Sequence, residues 1–218
     1  MNGIESGFAQ RMIDSFPPGL AVPDVLARFF AWQEANGLVR AFRAGGDYAQ
    51  IDTQSEAGCM YTAPVDPGYA EAWLSAAPQA ERDRLAAFFR TGGDGSYAAL
   101  WRDDAGASHI VHLGSGSGST MLGILASDPV DFLRLLAIGY EELCWPEQFD
   151  QLPAEIDAEN EYLDGPPWDR ALALRQWVET AFGVTVPPRA ADMLGRIADM
   201  GDGEDADPFL RWVRRWEA

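Results

Sequence analysis

The stretch His109–Ala126, HIVHLGSGSGSTMLGILA, decides how the middle of the chain is read. An apolar run enters a Gly/Ser loop and a second apolar run leaves it. Loops of this composition either cradle a phosphate at the start of a helix or join two strands. A phosphate loop needs Lys and then Ser or Thr after its last glycine. Here Gly114, Gly116 and Gly118 are followed by Ser119 and Thr120, and the chain contains no Lys. No three glycines fall at the G-x-G-x-x-G spacing of a dinucleotide site either. Thr120 to Ala126, TMLGILA, is short, apolar and interrupted by Gly123, which suits a strand and not an amphipathic helix. The stretch therefore reads as strand, loop, strand, with glycines supplying turn geometry.

Working upstream, YAALWRDDAGASHIVHLG has the form of a hairpin, with strands over 97–103 and 108–113 around an Asp-Asp-Ala-Gly turn. Residues 121–125 add a third antiparallel neighbour. Downstream, SDPVDFLRLLAIGYEEL predicts a helix from about 129 to 140. Pro129 suits its first turn, Ser127 or Asp128 caps it, and Phe132, Leu133, Leu136 and Ile138 bury.

Further out, a helix is expected from Asp24, with Val25, Leu26, Phe29 and Phe30 on one stripe and Gly37 as its stop. LVRAF and YAQID read as short strands around a turn, and CMYTAPVDPG as a loop. Residues 69–90 read as two helical pieces parted by Pro78, with Leu85, Phe88 and Phe89 inward in the second. Toward the C-terminus, WDRALALRQWVETAFG is a helix with Leu174, Trp177, Val178 and Phe182 inward. VPPRAADMLGRIADM and DPFLRWVRRWEA are two more, split by the acidic GDGEDAD. Trp101 and Trp177 are expected to be largely buried. This order predicts an α+β fold: a central, mainly antiparallel sheet flanked by helices, with a C-terminal helical extension. Residues 1–22 read as a loose lead-in, 23–150 as the α+β domain, and 151–218 as a helical extension packed on it.

At 218 residues and 47% hydrophobic, the chain can bury a substantial core. Neither a signal peptide nor a membrane span is apparent, so a cytoplasmic location is expected. Cys59 and Cys144, the only cysteines, read as isolated thiols. His109 and His112, the only histidines, read as ordinary strand residues. No zinc, nucleophile-elbow or dyad motif is present, so no catalytic residue, cofactor or metal is expected. The net charge of −18 opposes binding to nucleic acid or anionic membranes; it is compatible with a basic macromolecular partner and equally with mere solubility.

GSYAALWRDDAG, HIVHLGSGSGS and GILASDPVDFLRLLAIGYEELCWPEQF together resemble the SUKH (Smi/Knr-like) superfamily. The features that match are Trp101, Leu113-Gly114-Ser115, Ala126-Ser127 and Phe132-Leu133, and the segment Trp177 to Pro187 resembles the C-terminal part of many bacterial members. The good match spans roughly residues 95–150. The extended loop after Leu113-Gly114-Ser115 departs from the family's pattern. The resemblance implies a sheet flanked by helices and no catalytic machinery. It also implies a function: many bacterial members are immunity proteins that neutralise polymorphic toxins, often nucleases, while a yeast member is a regulatory hub.

The residues themselves point to a docking segment. Between Arg134 and Arg170 there is no basic residue, while carboxylates accumulate. The expected partner-binding residues are Glu141, Glu142, Trp145, Glu147, Phe149, Asp150, Glu155, Asp157 and Glu159, continuing to Glu161 and Asp164. Acids would steer a basic toxin in, and aromatics, including Tyr140 and Tyr162, would anchor it. The competing reading is a solvated face whose aromatics pack inward. A regulatory scaffold is the alternative function. An enzyme with an unrecognised carboxylate pair and a divalent-ion site at Asp199–Asp207 fit the residues less well. The oligomeric state is not legible.

Overall fold

The computed structural model describes residues 7–52, 59–159 and 170–217. Among them seven strands form one sheet in chain order: β1 (Val39–Ala41), β2 (Asp47–Ala49), β3 (Tyr61–Thr62), β4 (Leu85–Arg90), β5 (Tyr97–Arg102), β6 (Ser108–Leu113) and β7 (Leu122–Ala126). Every neighbouring pair is antiparallel. The expected three-strand core is there: Trp101 lies opposite His109, and Val111 opposite Ile124.

The longer strands are buried on both faces. On one side lie α1 (Phe8–Asp14), α2 (Asp24–Ala35), α5 (Pro129–Ile138) and α7 (Leu172–Phe182). On the other lie α3 (Pro67–Trp73) and α8 (Pro208–Arg214). Two further helices are α4 (Gln79–Arg82), a single turn, and α6 (Pro153–Glu159). The fold is thus α+β, a seven-stranded antiparallel sheet flanked by helices, including helices from the C-terminal part of the chain.

Local chemistry explains the helix placements. The Asp128 carboxylate accepts from Val130 N at 2.8 Å and Pro129 fills the first turn of α5. Phe132 then sets its ring edge-on to Phe88 and Phe89, at 5.8 and 5.6 Å. Asp207 does more than cap α8. Its Oδ1 accepts from Phe209 N and Leu210 N, while its Oδ2 accepts from Ile124 N of β7. One buried carboxylate thereby fastens α8 to the sheet. The fully buried Gln33 does the same for α2, donating to Ala49 O, Gln50 O and Thr62 Oγ1.

Four expectations are corrected. The lead-in holds α1, whose Phe8 and Met12 are buried together with Phe16 and Leu20. Residues 85–90 form a strand, not a helix. A strand covered on both faces loses the alternation that marks a half-exposed one. A β-bulge between Ala87 and Phe89 blurs the period further, putting Phe88 and Phe89 in the same core. The loop CMYTAPVDPG contains the two-residue strand β3. VPPRAADMLGRIADM is not a helix: one 3-10 turn at Ala190–Asp192 is followed by irregular chain. Pro187 and Pro188 lack backbone donors. The chain instead runs along the sheet edge, with Leu122 N donating to Ala198 O and Met200 N to Thr120 O. It shields an otherwise open strand.

Trp101 is 2% exposed and packs against Phe209 and Trp212. Trp177 is only half-buried, stacked on Trp32 at 5.3 Å. Trp101→Ala is therefore expected to cost about 3–5 kcal/mol and Trp177→Ala distinctly less, measured by urea denaturation. Equal losses would contradict this placement of Trp101 in the core between the sheet and α8 and of Trp177 at the margin of the other.

Candidate partner-binding face

The ends of β4 and β6 and the starts of β5 and β7 lie at one end of the sheet. Three loops meet there: 91–96, 114–121, and 139–152 after α5. Leu143 N donates to Thr91 O at 2.8 Å, which brings the third loop onto the first.

Asp94 organises the first two. Its Oδ1 accepts from Ser96 N, and its Oδ2 accepts from Ser96 Oγ, Ser115 Oγ and Ser119 N, all at 2.7–2.9 Å. Burial pushes the carboxyl up, but these donors outweigh it and hold the group well below the usual carboxylate range. The Gly/Ser loop therefore does wrap an anion, and the anion is the protein's own. Its glycines serve mainly close approach. Only Gly116 has a positive φ, +74°, whereas a Cβ on Gly118 would sit 2.7 Å from Asp94 Cβ and one on Gly114 would sit 2.5 Å from Ser119 O. The loop leads into β7, as expected of a strand connection.

His112 lies beneath this loop, fully buried, with Nδ1 3.0 Å from Met121 O and Nε2 2.9 Å from Thr91 Oγ1. A carbonyl only accepts, so Nδ1 carries the proton and Nε2 accepts from the threonine hydroxyl. Burial pushes the imidazole down to about 4.

Glu142 organises the third loop. Its carboxylate accepts from Gly93 N at 2.6 Å, from Trp145 Nε1 and from the Cys144 thiol. Burial raises it, and these donors with the Cys59 thiol bring it below its ordinary value. Cys59 and Cys144 are not bonded to each other. Burial and Glu142 push the Cys59 thiol up to about 11 and raise Cys144 as well. Both are poor nucleophiles. Tyr140 completes the scaffold: its hydroxyl donates to Gln151 O and accepts from Ala190 N.

The expected binding residues divide accordingly. Glu141, Glu147 and Asp150 are exposed. Glu141, Glu142, Trp145 and Asp157 come together around a hollow of about 320 Å³, also lined by Tyr140 and Arg170. Glu155 is exposed, but one carboxylate oxygen accepts from Leu152 N. Two expectations fail. Phe149 is 7% exposed and packs on Tyr140, so neither ring is a surface anchor. Asp157 is not a free carboxylate, for Arg170 pairs with it at 2.7 Å and both are largely buried. The side chain of Glu159, and all of Glu161, Tyr162 and Asp164, lie outside the described residues.

The gap in basic residues along the sequence is also partly filled in space. Arg189 pairs with Asp192 and feels Asp150 and Glu155. Sequence reasoning missed Asp94, because nothing local marks an acid 21 residues before Ser115 as its partner. The acidic loop near Asp199 is internally paired: Asp202 with Arg196, and Asp199 with Gly201 N and the Thr120 hydroxyl. Among the described residues, no cluster of three or more His, Cys, Asp or Glu is placed to hold a metal ion, and no helix is long and apolar enough to cross a membrane. No family model, curated protein or solved structure matches the chain.

Two outcomes test this geometry. Unfolded His112 takes a proton near its ordinary value of about 6.5, but in the folded chain only near 4. The unfolded state thus binds more protons between these values, and stability falls as pH falls through that window. Lowering pH from about 7.5 to about 5.5 should cost about 1 kcal/mol through this group alone. The cost is read as the difference in urea stability between wild type and His112→Gln, and parallel pH profiles would contradict it. Asp94→Asn replaces an acceptor-only group with one that also presents N–H to N–H donors. Amide exchange at 115–119 should speed up markedly while β5 and β6 stay protected; unchanged exchange would show that Asp94 does not hold the loop.

Proposed function

We propose that the protein is a non-enzymatic immunity-type protein of the SUKH kind, which binds a basic, nucleic-acid-cleaving protein toxin and blocks it. The observation that carries this reading is the convergence of Glu141, Glu142, Glu147, Asp150 and Asp94 on the loops at one end of the sheet. Of the cations around them, Arg170 is paired with Asp157 and Arg189 with Asp192, while Arg90 is held by Gly92 O, Gly93 O and the Tyr61 hydroxyl. A nuclease site that holds phosphates is basic, so an acidic face both attracts it and competes for its cations. The loops are well braced for the task, since Asp94, Glu142 and Tyr140 fix them before any partner arrives. A cytoplasmic setting, where such a toxin would act, fits this reading.

The test uses the product of a toxin gene neighbouring this one, co-expressed with the protein. Growth should be rescued, and the purified pair should form a complex. Changing the three exposed acids together, Glu141→Arg, Glu147→Arg and Asp150→Arg, should slow association about tenfold or more at low salt and far less at high salt. Asp157 is left intact because it neutralises Arg170. Unchanged association rates, or a neighbour that is not toxic, would overturn the reading.

A further inference from the structure

Besides the acidic hollow, the same end of the sheet carries a second one of about 440 Å³, between α3 and the Gly/Ser loop. Tyr69, Ala72 and Trp73 form one side of α3 at spacings of three and four residues, and they line it. Ala70 and then Leu74, on the neighbouring side, are buried in the core between the sheet and α8, against which Tyr69, Trp73 and Tyr97 pack in part. Tyr97, at the start of β5, sets its ring 4.2 Å from that of Tyr69. Asp94, Ser115 and Ser117 supply the polar wall.

We propose that this hollow receives an arginine side chain presented by the protein partner. The inference rests on the basic-partner reading above and names one contact within it. Three features support a flat cation. The rings of Tyr69, Trp73 and Tyr97 are only half-buried, unlike those of Trp101 and Trp212, so ring surface is left to face an occupant. Cations are drawn to such ring surfaces. Asp94 is bonded to serine hydroxyls and backbone N–H groups, all neutral. Arg90, across from Tyr97, donates to Gly92 O, Gly93 O and the Tyr61 hydroxyl, so among the described residues no ion pair takes up the Asp94 carboxylate. The exposed Ser117 hydroxyl adds an acceptor in reach of the hollow. A guanidinium stacks on rings and donates in its own plane, whereas an ammonium is compact and more strongly hydrated. A phosphate is disfavoured, because Ser115 Oγ and Ser119 N are spent on Asp94, and the N–H groups of Ser115, Gly116 and Gly118 on Ser96 Oγ, Ser119 O and Ser115 Oγ.

The test titrates the purified full-length protein with N-acetyl-arginine methylamide and, separately, with its neutral citrulline counterpart. Backbone amide NMR is the readout. The arginine compound should saturate, with shifts confined to residues 69–73, 94–97 and 114–118, and the citrulline compound should bind about tenfold more weakly or worse. Trp73→Ala and, separately, Tyr69→Leu should each weaken binding severalfold while the protein still melts cooperatively. The second variant covers the case in which the first fails to fold. No saturation, equal binding of citrulline, or shifts centred on Glu141–Asp150 would overturn the proposal. The two readings fail separately. Binding of the arginine compound without any toxin complex leaves the pocket standing. A toxin complex whose rates respond to the acid reversals but not to Trp73→Ala removes the pocket alone.

Discussion

One carboxylate gives the loop end of the sheet its shape. Asp94 collects four hydrogen bonds from Ser96, Ser115 and Ser119, and so ties the turn after β4 to the loop after β6. The arrangement uses the physics of a phosphate loop, with N–H and O–H donors converging on an anion. The difference is that the anion is covalently part of the chain. An internal anion keeps the loop closed without a ligand and places negative charge at the surface, where a phosphate-binding loop would offer positive potential. The same device recurs at Glu142, which takes Gly93 N and Trp145 Nε1 and so docks the loop after α5 on the first turn.

The sheet beneath makes such loops affordable. Its longer strands are covered on both faces, by α1, α2, α5 and α7 on one and by α3 and α8 on the other. Two buried polar side chains, Gln33 and Asp207, join helices to strands where apolar packing alone would leave their register loose. His112 sits neutral between Thr91 and Met121, directly under the loops. Acid therefore acts on the same end of the molecule that carries the three loops.

The parts of the fold that were legible in the sequence are those with one strong local signal. The hairpin from Tyr97 to Leu113 had a turn between two apolar runs, and α5 had its cap and proline. Residues 85–90 were misread because burial on both faces and a bulge at Phe88 erase strand periodicity. Residues 186–200 were misread because most of their apolar side chains pack on the main core while their backbone bonds the sheet edge, with no helix between. In the candidate face, the exposed acids Glu141, Glu147 and Asp150 were legible as charge. Phe149 and Asp157 were misassigned because composition does not reveal burial or an arginine that arrives from 13 residues away. Asp94 and the Tyr69–Trp73–Tyr97 hollow were invisible, since each depends on segments that only the fold brings together.

The central claim is that the partner meets the loop end of the sheet. Hydrogen–deuterium exchange of the protein with and without its cognate toxin tests it most directly. Protection on binding should be confined to the loops at 91–96, 114–121 and 139–152 and to the adjoining part of α3. Protection centred instead on the opposite end, at the Asp103–Ala107 turn or the Phe42–Gly46 turn, would contradict the account.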